Sequence, residues 1–241
     1  MSINLLRQFE TLNQYESSKG DFEYPTVSFV DENGLVYFME KSLYEWVDLG
    51  LPSGLKWATT NVGAEKPEEY GLYFAWGETQ GYSGITDEKD FYWTDYKLCG
   101  GSSSTLIKYN NDSSYGTVDN LTTLEQVDDA AYQSDNTCRM PTKADLEELT
   151  ANTTSTWETL NGVNGRRFTS KINGNSIFVP AAGDCHWGDG SVDIVGSYGK
   201  LWSSSLIESS PRDGWCLYFD SDYVIMFGNG RDYGFTVRAV H

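Results

Sequence analysis

Residues 199–228 read GKLWSSSLIESSPRDGWCLYFDSDYVIMFG. Within this stretch GKLWSSSLI, WCLYFDS and YVIMFG are short apolar runs separated by Gly, Ser, Asp and Pro, the pattern of strands joined by turns. Side chains alternate along a strand, so Trp215, Leu217 and Phe219 fall on one face of WCLYFDS, and Cys216, Tyr218 and Asp220 on the other. The expectation is that both faces are not buried.

Working outward, RRFTSKI (166–172), NSIFVPAAG (175–183) and FTVRAVH (235–241) read as further strands. Before them the pattern turns helical. Leu124, Val127, Ala130 and Ala131 lie near helical spacing in a helix expected over 121–132. In PTKADLEELT (141–150) Thr142 can cap a second helix, with Asp145 at the capping-box position and Leu146 and Leu149 as its buried stripe. Earlier still, WVDLGL (46–51) and LKWATTNVG (55–63) read as strands around a Pro52-Ser53-Gly54 turn. EEYGLYFAWGE (68–78) is strand or buried loop, and Gly81 to Thr117 is a long loop. Strands, then helices, then many short strands make an α+β fold. Residues 1–43 differ in texture from 44–241 and form a separate arm. Within it, YPTVSFVDENGLVYF (24–38) reads as a β-hairpin turning at Asn33-Gly34. The hairpin is either an extra edge of the main domain or an attachment and assembly arm.

The chain has 241 residues, with 35 Asp and Glu against 17 Lys and Arg, a formal net charge of -18. Such a surface repels phosphate backbones and anionic headgroups, so neither nucleic acid nor a membrane surface is an expected partner. No apolar run approaches the roughly 20 residues of a membrane span, and the first residues lack the pattern of a secretory leader. The protein is expected to stay in the cytosol or to leave by another path, such as release in a particle on lysis. Cys99, Cys138, Cys185 and Cys216 are widely spaced, which favours free thiols over a disulfide framework or a zinc site.

No nucleophile elbow, metalloprotease helix, phosphate loop or dinucleotide fingerprint is present. The histidines are His186 and the terminal His241, and Cys185-His186 reads as a pair of exposed loop residues with no catalytic geometry implied. No catalytic residue, cofactor or metal is expected. Asp184, Asp189, Asp193, Asp220 and Asp222 lack the spacing of a calcium loop, and turns favour Asp for backbone reasons alone. Trp187, Tyr198, Trp202, Trp215, Tyr218, Tyr223, Phe227 and Tyr233 lie among Gly, Ser, Asp, Asn and Arg. That mixture suits a binding surface, where rigid aromatics give area and small polar residues adapt.

In order along the chain, WVDLGLPSGLKWATTNVGAEKPEEYGLYFAWGET, CRMPTKADLEEL, NGNSIFVPAAG, WSSS and GFTVRAVH resemble the Fibrobacter-type major paralogous domain family, over about residues 44–241. The resemblance implies a C-type-lectin-like fold of the formylglycine-generating-enzyme-like branch, with WVDLGL near FTVRAVH because such folds pair their chain ends. The EPN, QPD and WND motifs of calcium-dependent sugar binding are missing, and so is the catalytic cysteine pair of that enzyme branch. The C-terminal third is also similar to variable proteins diversified by retroelements. Cys185, Leu201 and Cys216 stand with the candidate ligand-binding residues at positions reachable by altering the adenines of an Asn codon. Those candidates are Asp184, His186, Tyr198, Arg212, Asp213, Trp215, Tyr218, Asp220, Tyr223, Ile225, Phe227, Asn229, Arg231 and Asp232. Trp215 itself, with Trp187, Lys200 and Met226, is not reachable that way, which marks these four as framework.

The resemblance, combined with the missing secretory leader, implies a non-enzymatic phage tail-tip or receptor-binding adhesin, carried on the virion and binding a bacterial cell-surface protein or glycan. Tyr218, Tyr223 and Phe227 would give contact area, and Arg212, Arg231, Asp220 and Asp232 would orient the partner. The arm would meet other virion proteins, and a homotrimer is in keeping with that setting. The rivals are a bacterial surface protein that stacks polysaccharide on aromatics, and a thiol enzyme using Cys185 or Cys216.

Overall fold

A computed structural model describes the backbones of three N-terminal strands and residues 42–84, 89–186 and 192–241. The chain divides into two compact units, Met1–Leu43 and Tyr44–His241. In the first, β1 (Leu5–Phe9), β2 (Thr26–Val30) and β3 (Val36–Glu40) form an antiparallel sheet in the order β1-β3-β2. Val30 pairs with Val36, so β2 and β3 are the hairpin expected there. Its Asn33-Gly34 turn lies outside the described residues.

The larger unit begins with β4 (Trp46–Asp48), β5 (Lys56–Asn61) and the short, buried β6 (Tyr73–Phe74). The helix expected over 121–132 does not form as one piece. A 3-10 turn, Gln126–Asp128, is followed by the short α1, Ala130–Ser134. Val127 is exposed, so the apolar spacing there does not mark one buried stripe. Asp129 interrupts the run because its carboxylate caps α1, accepting from the backbone N–H groups of Ala131 and Tyr132. α2 (Lys143–Asn152) forms as expected, with the Thr142–Asp145 capping box closed and Leu146 and Leu149 fully buried.

Next come β7 (Thr153–Leu160) and β8 (Val163–Ser170), joined through Asn161 and Gly162 at φ 48° and 88°. Two consecutive positive φ values are what a two-residue hairpin turn of this hand requires, and Asn-Gly supplies them at least strain. β9 (Ser176–Pro180) completes the sheet β7-β8-β9, and β10 (Asp184–Cys185) pairs with β11 (Val192–Asp193). The last strands are β12 (Tyr198–Leu206), β13 (Asp213–Asp220), β14 (Val224–Gly230), β15 (Phe235–Thr236) and β16 (Arg238–Val240). They build a five-stranded sheet, β14-β13-β12-β15-β6, and the sheet β16-β5-β4. The fold is α+β and mainly β. Among the described residues no helix is long and apolar enough to cross a membrane.

WVDLGL and FTVRAVH do share a sheet, and Lys56 and His241 exchange both backbone hydrogen bonds at 3.0 Å. Arg238 fixes this closure from inside. Its buried guanidinium donates to Asn61 Oδ1 and to the carbonyls of Ala58 and Phe178, tying the terminal sheet to β9.

One face of the five-stranded sheet packs on α2 and the sheets β16-β5-β4 and β7-β8-β9. Leu201, Leu217 and Phe219 meet Trp57, Leu146, Leu149, Phe168 and Val179 there. Each such burial is worth about 1.5–3 kcal/mol relative to exposure. Gly199 is required by this packing, since a Cβ on it would lie 2.3 Å from the Phe219 ring. The opposite face is covered at one end only. Trp202 stacks on Phe235 with centroids 4.1 Å apart, and Cys216, Trp76, Tyr109 and Met140 join them in a second core. Trp76 Nε1 donates to the Ser203 carbonyl at 2.7 Å, and Trp202 Nε1 to that of Phe74 at 2.8 Å. Both faces of β13 are therefore buried at Cys216, contrary to the alternation argument. Segments far away in sequence fold over that end of the sheet.

Candidate functional site

The uncovered end of that face is where the candidate residues gather. Residues directly opposite in antiparallel strands project to the same side. Lys200 of β12 pairs with Tyr218 of β13, which pairs with Ile225 of β14. In the neighbouring rows Tyr198 stands opposite Asp220, Cys216 opposite Phe227 and Gly214 opposite Asn229. The buried cover stops at Cys216, and β14 is an edge strand, so Ile225 and Phe227 are each 46% exposed. Tyr223, 62% exposed, stands in the β13–β14 turn beside them.

Aromatic contacts make this a continuous surface. Tyr198 stacks on Tyr218 with centroids 5.6 Å apart, and Tyr218 lies 6.4 Å from Phe227. Tyr218 Oη donates to Asp220 Oδ2 at 2.8 Å. Asp220 in turn accepts the N–H groups of Asp222 and Tyr223, which sets the turn. Beside Tyr198 runs a polar chain. Lys200 Nζ donates to Asp184 Oδ2 at 2.6 Å, and the other Asp184 oxygen meets His186 Nδ1 at 2.6 Å. The His186 ring stacks on Tyr233 at 5.3 Å, and the Lys200 ammonium lies over the rings of Phe235 and Tyr198 at 4.6 and 5.3 Å. A buried ammonium is tolerated because a carboxylate and ring faces surround it.

Burial, reinforced by Asp184, pushes the Tyr198 phenol far above its usual range. Burial and the bond to Asp220 push the Tyr218 phenol up to about 12. Both therefore remain neutral hydroxyls at neutral pH.

Tyr198, Tyr218, Asp220, Ile225, Phe227 and Asn229 thus share one face, with His186 at its border. Other candidates do not join them. Trp215 is on the α2 side of β13, under Lys143 Nζ at 4.8 Å. Asp184 is buried and works as the Lys200–His186 bridge. Arg231 is fully buried, donating to Tyr96 Oη and to the carbonyls of Lys108, Tyr109 and Pro211, so it cannot orient a partner. Asp232 is buried beside it, and Arg212 and Asp213 stand at the end of the sheet instead of on the face. Cys185, Leu201 and Cys216 are also buried, so a displayed surface cannot include them. Lys200 and Tyr233 belong to the site although sequence reasoning left both out of the ligand-binding set. The signal for Lys200 was its place in GKLW on the same alternation as Tyr198.

All four cysteines are free thiols. Burial, and then the Asp184 charge, pushes Cys185 up to about 12, and burial pushes Cys216 to about 12, so neither is a ready nucleophile. Among the described residues no three of His, Cys, Asp and Glu gather as a metal site.

Fold and surface define a mainly β domain of the α+β class with one open aromatic sheet face. Comparison with protein-family models, curated proteins and solved structures finds no match.

Proposed function

We propose that this protein is a non-enzymatic recognition protein, a receptor-binding adhesin of a phage tail tip, that binds a bacterial cell-surface protein or glycan through the open face of β12–β14. The observation that carries the reading is the Tyr198–Tyr218–Phe227 row with Ile225 and Tyr223 exposed beside it, on a sheet whose opposite face is the core. Rigid aromatics on a fixed strand lose little side-chain entropy on binding. Isolated exposed apolar residues need no explanation, but a contiguous patch rimmed by polar groups marks an interaction site. The closure of both ends of the larger unit into one sheet supports the C-type-lectin-like framework that the sequence resemblance implies. Polar side chains at Asp220 and Asn229 and small turns at the rim suit a surface whose residues vary while its scaffold stays. In this setting the N-terminal unit joins the domain to other virion proteins.

The test is binding of fluorescently labelled protein to a panel of bacterial strains by flow cytometry. Truncating a central aromatic anchor costs about 2 kcal/mol or more of binding, a roughly thirtyfold loss. Phe227→Ala and Tyr218→Ala should each show such a loss on a bound strain while the thermal midpoint holds. Unchanged binding by both variants would remove the proposed surface.

A further inference from the structure

At the end of the open face lies a cleft of about 340 Å³ lined by Trp93, Arg212, Asp213, Asn229, Asp232 and Tyr233, among others. Asn229 connects it to the face, because it continues the Ile225–Phe227 alternation along β14. Asp232 is its unusual member. The residue is only 4% exposed, and its Oδ1 is buried with no hydrogen-bond partner. That oxygen stands over Gly230, another lining residue, where an added Cβ would meet it at 2.7 Å. Buried carboxylate oxygens ordinarily have partners, and one without a partner calls for a reason.

The neighbouring cations do not supply it. The Arg231 guanidinium is taken up by Tyr96 Oη and backbone carbonyls. Arg212 leans its Nε toward Asp213 at 3.7 Å from a side chain more than half exposed, a pairing worth little. Asp213 Oδ2 is taken by the Ser210 hydroxyl at 2.6 Å, whereas Asp232 keeps an oxygen without a partner beside one loosely held guanidinium, in a chain whose formal net charge is -18.

We propose that this cleft accepts an arginine side chain of the partner that covers the open face. A guanidinium satisfies carboxylate oxygens through a planar fork and packs on aromatic rings, and Trp93 and Tyr233 supply such rings in the lining. The inference rests on the recognition reading of the adjacent face for its biological setting. The chemistry of the cleft is testable without any partner.

The probe is N-acetylarginine methylamide, titrated into the full chain at pH 8 and followed by amide NMR shifts, with the citrulline counterpart as the uncharged isostere. The arginine probe should give saturable shifts at residues 228–233, with the citrulline probe and the Asp232→Asn variant each at least roughly tenfold weaker. Asp213→Asn should weaken binding by a smaller factor. Equal binding of the two probes, unchanged binding by Asp232→Asn, or no shift at tens of millimolar probe would each overturn the assignment. Bacterial-cell binding is scored separately. Probe binding that follows the expected pattern while Phe227→Ala keeps full cell binding sinks the face and leaves the cleft; the opposite pattern sinks the cleft alone.

Discussion

Replacing Arg231 with Met should cripple folding, not recognition. The guanidinium makes four hydrogen bonds of 2.9–3.1 Å, to Tyr96 Oη and the carbonyls of Tyr109, Pro211 and Lys108. It also lies over the rings of Trp76 and Tyr96 at 4.8 and 5.3 Å. Methionine keeps most of the apolar stem but strands those acceptors, each at about 1–3 kcal/mol, with the relief of desolvating a cation set against them. The balance is a loss of about 3–5 kcal/mol, a large part of the 5–15 typical of a domain. With a urea m-value of about 2–3 kcal/mol/M, the unfolding midpoint should fall by about 1–2 M. Arg231→Lys should rescue little, since one ammonium cannot reach the same fork of acceptors. A midpoint equal to wild type, with cell binding lost, would return Arg231 to the ligand-binding set.

Three further outcomes follow from other sites. Burial, with help from Asp213, raises the Asp232 carboxyl from 3.8 to about 6. A raised carboxyl means the folded state holds the proton more tightly, so stability rises as pH falls below about 6 and is lost as pH rises through it. Asp232→Asn should therefore stabilise the protein by roughly 2–3 kcal/mol at pH 8 and hardly at pH 4, read as the difference in thermal midpoints; a variant less stable at pH 8 would contradict this. Titration with a thiol reagent at pH 8 should find Cys99 reacting in the folded protein and Cys138, Cys185 and Cys216 only after unfolding, and a fast Cys185 or Cys216 would revive the thiol-enzyme reading. Gly162→Ala, at φ 88° with no atom within 4 Å of its added Cβ, should cost about 1 kcal/mol by urea denaturation from backbone strain alone, and no cost would mean a different turn.

Local patterns were the legible part of this chain. The capping box at Thr142 and Asp145 and the alternation of Leu217, Tyr218 and Phe219 needed only near neighbours to be read, and the structure follows them. The Asn161-Gly162 pair carries an equally local hairpin signal, but β7 has no strand signature because TTSTWETL is mostly polar. What stayed hidden was long-range. Cys216 and Arg231 are buried by Trp76, from a segment that sequence leaves as strand or buried loop, and by Tyr96 and Tyr109, from an aperiodic stretch where sequence shows only a loop. Nothing within a few residues of Arg231 distinguishes an interior guanidinium from a displayed one. Trp215 was a different kind of error, because its own alternation already set it opposite Tyr218. Lys200 was set aside as framework, and it is framework in the sense that it pins Asp184; its ammonium also bridges the aromatic rings bordering the face.

Two libraries of equal diversity, scored for the fraction of members that resist protease on a display system, test most directly whether scaffold and recognition surface are separable. One varies Tyr198, Tyr218, Asp220, Tyr223, Ile225, Phe227 and Asn229; the other varies Cys185, Leu201, Cys216 and Arg231. Most members of the first should stay folded and most of the second should not, whereas similar folded fractions in both would contradict the account.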